Sequence, residues 1–246
     1  MSSPPARLQL RVLSARYRAC MLGDLGTLVV LVAQAPLIGW LCTVVWGQVE
    51  TDTPSLYFVL ALSSVWFGCI NACREIVKER AIVERERLLG LSIPAYIGSR
   101  FLVLSGVSVV QVIALIGVVE ASLALRGPLP LQVVSLCLAA LAGVGLGLTV
   151  SAVSTSQERA VGVVPLLILP QILFSDLAVS ERYFSDAVRM AERCMPVHWA
   201  YTLFKEAAEK EPVWGDVFLS LMAQFGVILA LATTATLALL RRRDLI

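Results

Sequence analysis

The sequence predicts an all-α integral membrane protein with six transmembrane helices, and three observations carry that prediction. Of its 246 residues, 58% are hydrophobic and only 15% charged, with a mean hydropathy of +0.81. Soluble domains sit nearer half apolar and a quarter charged. Several apolar runs reach the roughly 20 residues that cross a bilayer core. The charges, finally, gather between those runs rather than spreading through them.

In chain order, residues 1–24 come first. Leu10, Leu13, Tyr17 and Cys20 recur at helical spacing beside a stripe of Arg7, Arg11, Ser14 and Arg18. That pattern predicts an amphipathic connecting helix in the membrane interface, its arginines toward lipid phosphates. A plain positive topology signal would need the arginines alone. The apolar runs then give six spans: Leu25–Trp46, Ser55–Asn71, Phe101–Leu123, Leu129–Val153, Ala160–Val179 and Val217–Leu240. The first is too long for the core of a cleaved signal peptide.

An even number of spans places both termini on one side. With the N-terminus inside, most of the 20 Lys and Arg fall on inner segments, including Arg74, Lys78, Arg80, Arg85, Arg87, Arg100 and Arg159. The outer segments keep Arg126, Arg182, Arg189, Arg193, Lys205 and Lys210. The positive-inside rule therefore predicts a multi-pass protein of the inner or plasma membrane with both termini cytoplasmic. Arg241, Arg242 and Arg243 stop the last span.

Within the spans, the fourth carries Gly143, Gly145 and Gly147 among Ala139, Ala140 and Ala142. Small residues let helices approach closely, which predicts tight intramolecular packing ahead of a dimer seam or a hinge. Pro165 and Pro170 interrupt the fifth span, followed by Gln171, Ser175 and Asp176. Such a helix lines a pathway or holds a structural kink. Glu120 is expected at an interface. Residues 180–212 form the extracytoplasmic helices. There Phe184, Val188, Ala191 and Met195 share one face, and Arg182, Asp186, Arg189 and Arg193 the other, until Pro196 ends the helix. The single histidine, His198, reads as an interface or capping residue.

The six cysteines form no CxxC, and most lie in or beside apolar spans, as small hydrophobes do. No metal set and no intramembrane carboxylate pair is present in the sequence, and no GxxxxGK[ST] phosphate loop occurs. The chain is therefore read as no enzyme and as carrying no cofactor of its own.

The most informative segment is the inner loop 74–92. It sets Arg74, Lys78, Arg80, Arg85 and Arg87 against Glu75, Glu79, Glu84 and Glu86, with Ile76, Val77, Ile82, Val83 and Leu88 between them. Helical spacing allows Glu75–Lys78 and Arg80–Glu84 pairs. A mixed-charge helix with apolar knobs suits docking to a soluble partner; a solvated loop helix fits the same residues.

Glu79, Arg85-Glu86, Gly90, Tyr96 and Arg100 resemble the first intracellular loop of ABC-2 type exporter membrane domains (permeases), particularly the ABCG/White-like type. Pro170–Val179 resembles that family's end of span five, and Met195–Ala207 its outer-helix turn. Asp176 departs from the small residue common there. The likeness covers essentially the whole of residues 1–246, read as a single membrane domain. It implies a permease subunit of an ATP-driven exporter, working by alternating access. Its partners would be a nucleotide-binding ATPase, which carries ATP and Mg as a subunit or fused domain, and a second membrane domain, as a homodimer, in membrane lipid without nucleic acid. Met1 favours a separate ATPase chain. By the resemblance, Glu79, Arg80, Arg85, Glu86 and Gly90 couple to the ATPase. Phe58, Trp66, Leu166, Leu169 and Phe174 are pathway candidates, and their character suggests an amphipathic or lipid-like substrate. The alternative is a non-transporting scaffold or sensor that recruits a cytosolic protein through the charged loop.

Overall fold

The computed structural model describes residues 5–49, 54–123, 125–175, 184–209 and 213–241, and in them every regular element is helical. Helix α1 (Ala6–Gly23) leads into α2 (Leu25–Trp46), where Asp24 caps the start by accepting from the Thr27 N–H at 3.2 Å. Helix α3 (Pro54–Ala72) is followed by a short 3-10 turn (Val77–Glu79) and by α4 (Arg80–Leu88). Then come α5 (Ile93–Ser122), α6 (Leu129–Val153), α7 (Gln157–Leu173), α8 (Asp186–Arg193), α9 (Pro196–Ala208) and α10 (Trp214–Arg241).

Among the described residues, five stretches are long and apolar enough to cross a membrane: α2, the Pro54–Leu88 stretch that contains α3, α5, α6 and α10. The fifth predicted span is the shorter helix α7, of 17 residues. It runs through Pro165 and Pro170 without breaking, starts earlier than expected because Ser156 caps the Arg159 N–H, and stops at Phe174. The predicted end at Val179, with Asp176 and Arg182, lies outside the described residues, as do Arg242 and Arg243.

Helix α5 also begins earlier than the predicted Phe101, at Ile93 with Pro94 in its first turn. The apolar run placed Arg100 outside the helix; the fold instead buries Arg100 within it, because an acidic partner and two aromatic faces meet it there. Pro196 both ends α8 and opens α9, where a missing N–H costs nothing.

The centre of the bundle is the contact between α3 and α6, and its glycines explain the closeness. A Cβ on Gly143 would sit 2.2 Å from the Val65 carbonyl oxygen, one on Gly147 2.5 Å from that of Cys69, and one on Gly68 2.0 Å from that of Ala140. Gly145 turns the other way, toward Leu231 of α10. The glycine pattern therefore packs helices within one chain, as expected. A buried polar cluster ties in α2 and α5. Asn71 donates to Gln111 Oε1 at 2.6 Å and to Ser108 at 3.1 Å, and Gln111 donates to the Leu31 carbonyl at 2.6 Å. In lipid such bonds hold helices that have no hydrophobic drive to associate. The faces of α2 and α10 stay apolar and open, with Val30, Leu229 and Phe218 more than 60% exposed, as a bilayer-facing surface requires.

At the end away from the charged loop, Glu120 accepts from the Leu125 N–H and holds the turn between α5 and α6. Phe184 is buried while Asp186, Arg189 and Arg193 are exposed, so α8 has the two faces read from the sequence. His198 pairs with Glu192 at 3.1 Å and stands edge-on to Trp199. These contacts tie the start of α9 to α8 and cap neither helix end.

Candidate functional site

The charged segment between α3 and α5 packs at the same end of the bundle as α1, the end of α6 and the end of α10. Ile76 and Val83 are buried in a cluster with Leu13, Tyr17, Tyr96, Ala235 and Leu239. Those apolar contacts press the segment onto the helices, and its polar groups then fix it in place.

Ser151 of α6 accepts from the N–H groups of Ile76 at 2.9 Å and Val77 at 3.0 Å, satisfying the backbone where α3 gives way to the 3-10 turn. Arg80 donates to the Ser154 carbonyl, so it faces α6 rather than the Glu84 that helical spacing offered. Arg87 donates to the Leu239 carbonyl of α10 at 3.2 Å. The expected Glu75–Lys78 pair does form, at 2.6 Å.

Arg100, 1% exposed, is the deepest charge among the described residues. Its guanidinium pairs with Glu79, to which the Tyr96 hydroxyl also donates at 3.2 Å. It lies 3.8 Å over the centre of the Tyr17 ring and 5.0 Å from that of Tyr96. Arg100 Nε and Nη1 have no hydrogen-bond acceptor among the described residues; the ring faces take that place. Tyr17 serves two partners, since its hydroxyl donates to Glu75 while its face supports Arg100. Burial, then the Glu75 carboxylate, push its phenol far above the ordinary pKa, which keeps the hydroxyl a donor.

Glu86 is held from α1 as well. Arg16 donates to both its oxygens, at 2.7 and 3.3 Å, and that bond raises the Arg16 pKa further. Gly90 ends α4 with φ +93°, a conformation that favours glycine. Its N–H bonds to the Arg87 carbonyl and that of Leu91 to Glu86, a Schellman closure. Gln9 of α1 seals the exit, donating to the Gly90 carbonyl at 3.2 Å and accepting from the Ser92 N–H at 2.8 Å.

The coupling candidates thus divide. Glu79, Arg80, Glu86 and Gly90 face the bundle and tie the loop to α1, α5 and α6, whereas Arg85 is exposed. Beside it the apolar side chains Leu88 and Leu89 stand 88% and 86% exposed. Sequence reasoning missed the Tyr17–Glu75 bond and the role of Ser151. A tyrosine on an apolar stripe and a serine in a greasy span carry no local signal of their partners.

The pathway candidates occupy two environments. Phe58 is buried against the edge of Tyr201 at 5.8 Å, and Trp66 packs on the same core. Leu166 and Leu169 stand 65% and 51% exposed on α7, with Phe174 half-buried at its end.

The family model described as ABC-2 type transporter matches residues 8–207. An ABC transporter ATP-binding/permease protein of Mycobacterium tuberculosis is 28% identical over 137 residues, which is 52% of this chain. The match spans about 16% of that relative's length. The match from α1 to α9, on a helical bundle with membrane-length spans, settles the family: the chain belongs to the ABC-2 type transporters, as a multi-pass membrane permease domain.

Proposed function

We propose that the chain is the membrane-spanning part of an ATP-driven exporter, with six spans, α7 being the fifth. Both termini and the α3–α5 loop lie in the cytoplasm, and the loop docks on a nucleotide-binding ATPase that holds ATP and Mg. The observation that carries this reading is the double character of the loop. One face is fastened to α1, α5, α6 and α10 through Arg16–Glu86, Tyr17–Glu75, Arg100–Glu79, Ser151 and Arg87. The other presents Leu88, Leu89 and Arg85 outward. A push on the exposed face is delivered to four helices at once, which is what a mechanical coupling needs and a solvated loop does not.

Two copies pair so that α3 and α7 of each border a central path for an amphipathic substrate. Leu166 and Leu169, exposed on a single chain, then gain a surface to face. ATP-driven closure of the partner moves the loops and exchanges inward for outward access. The test is purification of the tagged chain in mild detergent from its native cell, with identification of the proteins retained, followed by ATP-dependent substrate movement in proteoliposomes. An ATP-binding subunit or fused domain in the preparation, and transport that stops without ATP, is the expected result. A chain that recovers alone, from a native polypeptide of this length, would overturn the proposal.

A further inference from the structure

A groove of about 720 Å³ lies between α1, the start of α2 and the middle of α5, with no residue of the α3–α5 loop in its lining. The volume falls in the range of about 300–1,000 Å³ usual for ligand sites. Its walls are apolar, with Leu28 and Val32 on one side and Val107 and Val110 on the other. At Gly106 the wall is bare, since a Cβ there would meet nothing within 4 Å. Only its α1 border is charged, by Arg7, Arg11 and Arg18.

Those arginines share one face of α1, and none has a carboxylate partner among the described residues. Arg16, on the opposite face, is the one that Glu86 takes. Arg7 and Arg11 are one helical turn apart, where like charges repel. Three unneutralised cations at the lip of an apolar groove call for an anion carrying a long apolar body. Beside the groove, Val29 and Val30 of α2 are 63% and 71% exposed, so it opens toward lipid.

We infer that this groove seats one anionic phospholipid, its phosphate against Arg7, Arg11 and Arg18 and an acyl chain along α2 and α5 past Gly106. The site rests on the chain's being a membrane protein and not on its coupling to an ATPase. It differs from adsorption of α1 on a charged surface because it has a fixed depth that a side chain can fill.

The experiment is native mass spectrometry of the delipidated full chain titrated with phosphatidylglycerol or with phosphatidylcholine of the same acyl chains. Phosphatidylglycerol should be retained more tightly, by on the order of a hundredfold for three arginines near the surface. The Arg7→Gln/Arg11→Gln/Arg18→Gln variant should fall to the phosphatidylcholine level. Gly106→Leu, which keeps every charge and sets a branched side chain across the groove at its bare wall, should also lose the bound lipid while melting like the parent in detergent. It keeps the test decisive should the triple variant fail to fold. Retention unchanged in Gly106→Leu would overturn the seated site and leave only surface attraction. Displacement by millimolar inorganic phosphate would overturn the lipid in favour of a free anion.

Discussion

Arg100 poses the sharpest energetic question at the scale of single residues. A guanidinium that is 1% exposed is stable only while something answers its charge, and Glu79 does so with the tyrosine faces in support. Removing one partner of such a pair costs about 3–5 kcal/mol, because the other charge stays buried and unpaired. Glu79→Gln should therefore lower the melting temperature sharply in detergent. The Glu79→Gln/Arg100→Met double variant should recover much of the loss; simple additivity of the two single variants would mean that the pair is not the unit assumed. Tyr17→Phe keeps the ring under Arg100 but deletes the hydroxyl on Glu75, at about 2 kcal/mol for a bond to a charged group. It also predicts a pH signature. The Tyr17 phenol is raised well above 10.0 in the fold, so above that pH the unfolded chain ionises first and stability declines. The slope is about 1.4 kcal/mol per pH unit for one group. Parent-minus-Tyr17→Phe stability should fall with that slope above pH 10, and a flat difference would place the hydroxyl elsewhere.

Among the elements, α3 and α6 are positioned by what their glycines lack. Gly143→Ala sets a methyl 2.2 Å from the Val65 carbonyl, so the helices must part, at about 1–3 kcal/mol of overpacking. Gly117→Ala and Gly226→Ala meet nothing within 4 Å and should be neutral or stabilising by about 0.5–1 kcal/mol, the helix propensity difference alone. Thermal melts of the three variants in one detergent check the contrast; equal shifts would deny the close α3–α6 approach. These glycines were legible in the sequence because spacing of small residues is a local pattern. So were α2 and α6, whose predicted bounds are those observed, and both faces of α8. The start of α5 was not, since hydropathy sees Arg100 as an end while only the folded bundle supplies Glu79, Tyr17 and Tyr96 around it. The Asn71–Gln111 bond escaped for the same reason: each residue alone reads as a polar blemish in an apolar run, and their meeting is a property of packing. Cys20 shares its helical spacing with Leu13 and Tyr17, yet only those two are buried, and Cys20, in the last turn of α1, is exposed.

For the whole molecule, the fastened and the free faces of the α3–α5 loop make separable demands. Leu88 and Leu89 contribute almost nothing to the isolated fold, being 88% and 86% exposed. Surface substitutions of that kind stay within about 0.5 kcal/mol of the parent. An interface, by contrast, draws most of its strength from a few apolar residues at its centre, each worth about 2 kcal/mol or more. Leu88→Ser/Leu89→Ser should consequently melt like the parent, reach the membrane in the same amount, and lose the ATP-binding partner in co-purification. Glu86→Arg should behave differently, since it breaks the tie to Arg16 of α1 and leaves the outward face alone. The partner should still bind, while ATP turnover loses its response to substrate. If the leucine pair is replaced and the partner remains, the docking surface is not this loop tip. If Glu86→Arg loses partner binding as well, the loop acts as a single adhesive patch, and transmission through α1 is excluded. Binding without coupling in one variant, and stability without binding in the other, is the pair of results that a lever fixed at one face and gripped at the other must give.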